Sequence, residues 1–413
     1  MLRAYKTELD LNNKQRTQFV RYCGVARFVF NWALADRISR HESGLKTSMY
    51  EQKKRFNSIK GDHYPWVKEV SYVVEQSAFD NCDIAYKNFF RRAKGQAKKA
   101  GFPKFKSKKH GLGSFKLRGI ITVEQSRIKL PVLGWVKLKE DGYFPTKDIK
   151  ILATTISERA GHWFVSLQVE EKDMPITDIH NGVIGVDVGI KTLATCSNSK
   201  VFENPKGIYK YEKQLSHIQR ELCRRQKGSK NRAKTKQKVA KLHYRISNVR
   251  RYALHEVSHY LTAIAKPQTI KVEDLNVAGM MQNRHLSRSI ADASFAELRR
   301  QLEYKCIWHG IDLVVADRFY PSSKKCSQCG AIKPLLRLSE RTYVCESCGA
   351  VIDRDLNAAK NLEVYVEPRN GRGLSVEERE PTIRAGCVES PMKQKPSIGS
   401  TLENNCRVGI GLP

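Results

Sequence analysis

Two paired-cysteine knuckles, Cys326-Ser-Gln-Cys329 and Cys345-Glu-Ser-Cys348, constrain this chain more than any other feature. Fifteen residues separate the pairs, the spacing of a structural zinc ribbon in which four thiolates close a tetrahedron around one ion. A closed set of four sulfurs leaves no position for water, so its expected role is to hold a fold together. Gly330 and Gly349 follow the pairs and permit tight turns. In so short a segment, metal binding on the order of 10 kcal/mol is what makes folding favourable. A redox site would need one pair and not two. The other cysteines, Cys23, Cys82, Cys196, Cys223, Cys306, Cys387 and Cys406, are scattered and read as thiols of a reducing compartment.

At 413 residues the chain exceeds one ordinary core and should divide into several domains. No apolar run is long enough to cross a bilayer, and the start lacks the apolar core of a secretion signal, so a soluble, cytoplasmic protein with no membrane partner is expected. The 74 Lys+Arg against 42 Asp+Glu leave a formal charge of +32, which calls for a polyanionic partner, nucleic acid being the default. The charge is clustered. Between Arg91 and Arg118 there is no carboxylate, and Lys104, Lys106, Lys108 and Lys109 are interleaved with Phe102, Phe105 and Phe115. Such a mixture can neutralise phosphates and stack on bases, or the phenylalanines can be core with a solvated lysine rim. A second basic block runs from Lys206 to Arg251, where sixteen Lys or Arg, including Arg224, Arg225, Lys234, Lys236 and Lys238, face only Glu212 and Glu221. Phosphate-loop and dinucleotide fingerprints are absent from the sequence, so ATP and dinucleotides are not implied.

Periodicity divides the rest. Residues 1–10 alternate as a strand, and 12–100 are helical, with Phe19, Tyr22, Cys23, Ala26, Val29, Phe30, Ala33 and Leu34 at three- and four-residue steps and a second helix over 73–92. Residues 120–170 read as short strands with glycine turns, a small barrel or sandwich that the N-terminal strand can complete. Beyond the polar stretch 173–181 come a buried strand and its return (183–195), a long helical stretch (205–265), a strand (269–273), a helix around 295–302 and a strand (311–316). This order describes a mixed sheet covered by helices. After about Glu363 the apolar pattern ends and a disordered tail is expected.

Within this frame three acids stand out. Asp187 sits inside the apolar run Val183-Ile-Gly-Val-Asp-Val, Glu273 ends the strand Thr269-Ile-Lys-Val, and Asp355 opens a helix expected over 356–363. Each has an ordinary explanation as a strand-end polar residue, a solvated turn or a helix cap. Together they make a pocket for two hard cations with oxygen ligands, which raises the expectation of two catalytic magnesium ions acting on a phosphodiester.

The series Gly185-Val-Asp187-Val-Gly189, Val272-Glu273-Asp-Leu-Asn276, the cysteine knuckles, and Asp353-Arg-Asp355-Leu-Asn-Ala-Ala-Lys-Asn361 resembles the TnpB (OrfB) family encoded by bacterial insertion sequences. So do Gly24-Val-Ala-Arg-Phe-Val-Phe-Asn-Trp32 and Phe102-Pro-Lys-Phe-Lys-Ser-Lys-Lys109, and the resemblance covers 1 to about 365. It implies an RNA-guided DNA endonuclease related to type V CRISPR effectors. The implied fold is multidomain α+β and α/β: an RNase H-like (RuvC) mixed sheet with inserted zinc ribbon, a small β-barrel and a helical recognition domain. Mapped on this sequence, 1–10 and 111–180 form the barrel wedge, 11–110 the recognition domain, 181–325 and 349–365 the nuclease, 326–348 the ribbon and 366–413 a tail. The catalytic carboxylates implied are Asp187, Glu273 and Asp355, with Asp353 a neighbour. A guide RNA from the transposon end would pair with double-stranded target DNA, leaving the protein to recognise a short flanking motif. A nucleoid-associated monomer is the favoured form. The alternatives are a transposase that joins DNA strands itself, a repressor that has lost cleavage, and a zinc-ribbon scaffold without catalysis.

Overall fold

A computed structural model describes residues 2–95, 101–171, 180–337 and 339–366, and the expected disordered tail lies outside them. The chain divides into two units, Met1–Met174 and Pro175–Pro413.

The first unit joins a sheet to a helical layer. Strand β1 (Leu2–Asp10) leads into helix α1 (Asn13–Glu42), followed by α2 (Met49–His63) and α3 (Tyr72–Ala93). Asn12 starts α1 through a reciprocal capping box: its Oδ1 accepts from the Gln15 N–H at 2.8 Å, and Gln15 Oε1 accepts from the Asn12 N–H at 3.2 Å. Strands β2 (Ser114–Leu117), β3 (Thr122–Val123), β4 (Arg127–Leu130), β5 (Gly134–Leu138), β6 (Ile149–Arg159) and β7 (His162–Glu171) complete the sheet in the order β2-β6-β7-β1-β5-β4-β3. The first strand therefore lies mid-sheet, between β7 and β5, and the helices are an excursion between one strand and the rest. Among the described residues no ladder joins β3 to β2, so hydrogen bonding leaves this sheet open at both ends. Two expectations change here. The isoleucines at 120 and 121, at the start of the stretch expected to form strands, precede β3 and lie outside it. Phe115, 2 % exposed, packs edge-on against Phe19 with ring centroids 5.5 Å apart, so it is core and cannot stack on a base.

The second unit is built on a mixed sheet. Its strands are β8 (His180–Asp187), β9 (Thr192–Cys196), β10 (Val201–Glu203), β11 (Pro267–Glu273) and β12 (Asp312–Ala316), ordered β10-β9-β8-β11-β12. Strands β8, β11 and β12 are parallel, and β9 and β10 return antiparallel. Helices α4 (Gly207–Arg224) and α5 (Lys230–His259) join β10 to β11, while α6 (Val277–Met280), α7 (Ser287–Ala293) and α8 (Phe295–His309) join β11 to β12. The long helical stretch thus breaks into a hairpin. Gly228 adopts φ +87°, and the Ser229 hydroxyl caps α5 by accepting from the Arg232 N–H at 3.1 Å. Ile184, Val186, Ile270 and Val272 pack with Leu254, Val257, Leu298 and Leu302 in one core, which explains the apolar run of β8 and the apolar positions that alternate with Thr269 and Lys271 in β11. A short hairpin, β13 (Thr342–Val344) and β14 (Val351–Asp353), leads into α9 (Arg354–Glu363). No described helix is long and apolar enough to cross a membrane.

Candidate active site and metal centre

The two cysteine knuckles are near copies of one another. In each, a glycine N–H bonds back to the first cysteine carbonyl (Gly330 to Cys326, Gly349 to Cys345, both 3.0 Å), and the first cysteine N–H bonds to the carbonyl two residues past the second cysteine at 2.8 Å. Gly330 and Gly349 adopt φ +79° and +71°, the left-handed turn expected of them. All four Sγ atoms lie within 4.8 Å of one another, with Cys326 and Cys348 3.7 Å apart and Cys329 and Cys345 3.6 Å apart. A zinc–sulfur bond of about 2.3 Å gives a tetrahedron with edges of about 3.8 Å, so the set fits that ion. The backbone N–H of Cys348, helped by that of Ser347, lowers the Cys345 thiol to about 6. At Cys348 the Ala350 N–H favours the thiolate, yet hydrogen bonds shared with Cys329 and Cys345 push it up to about 12. Four adjacent sulfurs cannot all ionise without a cation between them.

The carboxylates are placed differently. Val186 of β8 lies opposite Val272 of β11, so the next residues, Asp187 and Glu273, leave the parallel strands side by side at their carboxyl ends, the edge where open α/β sheets take ligands. Asp355 arrives on α9. Asp353 caps that helix, its Oδ1 accepting from the backbone N–H groups of Asp355 and Leu356, both at 3.0 Å, and Asp355 follows in the first turn. The helix therefore starts one residue before Asp355, and the cap expected of Asp355 belongs to Asp353.

Gly185 explains how α9 reaches the strand. A Cβ there would stand 2.0 Å from the Ala359 carbonyl oxygen and 2.4 Å from the Glu363 nitrogen, so only glycine lets the helix backbone rest on β8. Lys271 of β11 holds the far end, donating from Nζ to the carbonyls of Glu363 (2.8 Å) and Tyr365 (2.7 Å). As a result the acids feel one another. Burial holds Asp187 well above the ordinary carboxylate range, the charges of Glu273 and Asp355 raise it further, and Arg354 opposes them. Glu273 is raised by burial, against the Ser322 hydroxyl, which donates to its Oε1, and the Arg354 charge. Among the described residues the cysteines alone gather three or more ligand atoms within 4.8 Å, so the three carboxylates are spaced more widely than a single-ion cage. Ions in a two-metal site stand about 3.5–4 Å apart, and its ligands need not all meet one ion.

Several residues of the site carried no role in the sequence reading. Asn357 and Asn361, on one face of α9 and both buried, tie that helix to the first knuckle. Asn357 Nδ2 donates to the Lys325 carbonyl at 2.7 Å, and its Oδ1 accepts from the Ser327 N–H at 2.9 Å. Asn361 Nδ2 donates to the carbonyls of Ser322 (2.8 Å) and Lys325 (2.6 Å). A continuous chain of hydrogen bonds thus runs from Glu273 through Ser322 and Asn361 to the residue before Cys326. Its signal was the four-residue spacing of two asparagines that share a helix face with buried Ala358 and Leu362.

The basic residues sort by exposure. Lys104, Lys108 and Lys109 are exposed, whereas Lys106 is half-buried with its ammonium 3.8 Å from the Phe30 ring centre and its backbone bonded to Asn31 on both sides. Phe102 and Phe105 stay exposed, unlike Phe115. Arg224, Arg225, Lys234, Lys236 and Lys238 are exposed on the α4–α5 hairpin, Arg225 bonded to Glu221 at 2.8 Å.

Known proteins place the chain. Residues 166–284 match the family OrfB_IS605, described as "Probable transposase", and 295–362 match "Cas12f1-like, TNB domain". Residues 1–46 match a helix-turn-helix description, although this segment folds as β1 followed by one 30-residue helix. A Streptomyces pristinaespiralis protein named "Putative RNA-guided DNA endonuclease" is 34% identical over 404 residues, covering 95% of this chain and 96% of that protein. Escherichia coli K12 InsQ, named likewise, is 33% identical over 380 residues, 87% of this chain and 91% of its own. The fold is similar to that of Cas12f1 in a complex with sgRNA and target DNA, with a TM-score of 0.51 at 16% identity over 85% of this chain and 83% of that one. With full-length relatives at this identity, ordered motifs in both halves of the second unit and a mixed α+β fold of several sheets, this chain belongs to the OrfB_IS605, or TnpB, family.

Proposed function

We propose that this protein is an RNA-guided, magnesium-dependent DNA endonuclease whose catalytic carboxylates are Asp187, Glu273 and Asp355. The single observation that carries the reading is the placement of Asp187 and Glu273 at the carboxyl ends of adjacent parallel strands, with Asp355 in the first turn of the helix that rests on Gly185; burial, and then the charges of Glu273 and Asp355, raise the Asp187 carboxyl there. Three acids held together against their own repulsion are a receptor for divalent cations. The names of the full-length relatives give the reaction class, and the charge of +32 supplies what a guide RNA and a DNA duplex require.

In this reading the second unit is a RuvC-like nuclease with an inserted zinc ribbon, and the first unit combines a barrel wedge with a recognition domain. The strand order, with three antiparallel strands followed by two parallel ones, supports the former assignment. Asp187 is a rigid ligand because it leaves a buried strand. Ser322 fixes the rotamer of Glu273 by donating to one oxygen and leaving the other for a cation. Asp355 is positioned by the Asp353 cap beneath it and by the close contact of α9 with Gly185. Magnesium bound by these oxygens would supply a water of lowered pKa and neutralise the leaving oxygen of the phosphodiester. Exposed lysines on both units hold phosphates, while base pairing to the guide reads sequence.

Asp187→Ala tests this reading. Cleavage of guide-matched DNA should vanish while binding of RNA and DNA survives. Loss of both together would make Asp187 a structural residue. The family description as a transposase keeps a second reading in view, and strand-transfer products from purified protein without RNA would establish it.

A further inference from the structure

Beside the carboxylate edge, one loop presents an aromatic ring that the fold does not use. Strand β12 ends at Ala316, the register partner of Glu273. The chain then loops outward and returns to Ser322, whose hydroxyl donates to Glu273. On the outward arm, Arg318 Nη2 bonds to Asp274 Oδ2 at 2.6 Å, and Asp274 is held in turn by Arg299 at 2.9 Å. Both arms are thus tied to consecutive residues, Glu273 and Asp274. Phe319 lies between them. It is 89% exposed, the most exposed large apolar side chain among the described residues.

The pedestal beneath this ring is built. The Phe319 N–H bonds to Asp317 Oδ1 at 2.8 Å and the Tyr320 N–H to the Asp317 carbonyl at 3.0 Å. The Asp317 N–H donates to the Tyr365 hydroxyl at 3.1 Å, and the Tyr320 hydroxyl donates to the Asn361 carbonyl at 2.9 Å, which anchors the loop to α9. A tied loop that holds a phenyl ring in water gains no folding energy from it. Asp317 and Arg318, which lead into the ring, are charged and exposed, and Tyr320, which follows it, is turned inward against Tyr365 and Asn361, so the loop offers no broad apolar face such as a protein partner needs. A lone exposed aromatic on a tied loop, next to an arginine, is the element that single-stranded nucleic acid uses, because every base has a face to stack.

We infer that Phe319 is a stacking platform for a nucleobase of the strand that enters the carboxylate edge. The inference rests on the nuclease reading for its location and on the loop for its chemistry. The ring would take one base of either purine or pyrimidine type, hold the flanking phosphate over Asp187, Glu273 and Asp355, and act on binding of the strand rather than on bond breaking.

The test uses the full chain loaded with its guide RNA, with calcium replacing magnesium, and single-stranded oligonucleotides carrying 2-aminopurine at successive positions. Wild type should quench one position sharply. Phe319→Ala should abolish that quench and weaken binding about ten-fold, while Phe319→Tyr keeps both. With magnesium and a pre-opened target, Phe319→Ala should raise the half-saturating enzyme concentration about ten-fold and leave the maximal single-turnover rate within about two-fold. An abasic site at the quenched position should cost wild type this same factor and cost Phe319→Ala nothing further. Equal quenching and binding by wild type and Phe319→Ala, or equal loss by both on the abasic strand, overturns the platform. Position-specific quenching without cleavage by wild type would instead overturn the nuclease reading and leave the platform standing.

Discussion

The cysteine cluster and the carboxylate edge are two groups of candidate ligands built on opposite plans within one unit. The cysteines come from two adjacent turns, and each knuckle's own backbone hydrogen bonds set its geometry. The carboxylates come from the ends of two strands and the first turn of a helix, and depend on a sheet register, a glycine contact and a capped helix. One set closes on itself and the other is wider and open. Under the proposed function, the difference teaches that stability and reactivity are separated here. A closed sulfur cage can organise its surroundings without chemistry, while an open carboxylate edge needs surroundings to hold it against charge repulsion. Asn357 and Asn361 join the two, so the closed set helps to stiffen the open one.

The largest test of that division is Cys345→Ser. Bound zinc should fall, limited proteolysis should cut within 326–348, and cleavage should drop by more than about 100-fold because α9 loses its anchor. Retained cleavage in a protein shown to lack zinc would separate the two sets altogether. Asn361→Leu sharpens the link more gently. It leaves the Ser322 carbonyl unpaired, at about 1–3 kcal/mol, while the Lys325 carbonyl keeps Asn357, and should lower cleavage by about 10–100-fold with zinc content unchanged. If zinc and cleavage fell together, the asparagines would belong to the ribbon alone.

Neutralising Lys234, Lys236 and Lys238 to Gln should touch neither set. Binding should weaken for all sequences alike, the slope of log affinity against log salt should shrink by about 2.7, and the cut position should not move. The smallest effect concerns Asp187 itself. Its carboxyl is raised in the folded chain, so between the unfolded and folded values the native state holds a proton that the unfolded state has lost. The site is therefore neutral at low pH and costs stability as pH rises through the folded value. In EDTA at pH 8, Asp187→Asn should melt higher than wild type by about 2–4 °C for each kcal/mol relieved, with the gain vanishing near pH 4. Magnesium should raise the melting temperature of wild type at pH 8 and have much less effect on the variant.

Features set by neighbours along the chain were legible before any coordinates. The cysteine spacing, the glycines after each pair and the apolar run of β8 are local, and local sterics and periodicity decide them. Where two local patterns overlapped, the reading was coarser. Phe115 sat among lysines and looked available until β2 carried it into the core, and the break at Gly228 was hidden in a continuous basic stretch. The sequence by itself determined which residues were chemically costly: four thiols that need a cation, and acids in apolar surroundings that need a partner. Tertiary structure alone decided that Asp187 and Glu273 leave adjacent strands, that α9 rests on the bare backbone of Gly185, and that two asparagines couple a metal cage to Ser322 and Glu273. The reason is physical. Strand neighbours and helix crossings join residues far apart in sequence, and their energies depend on a register and a close approach that no local pattern encodes.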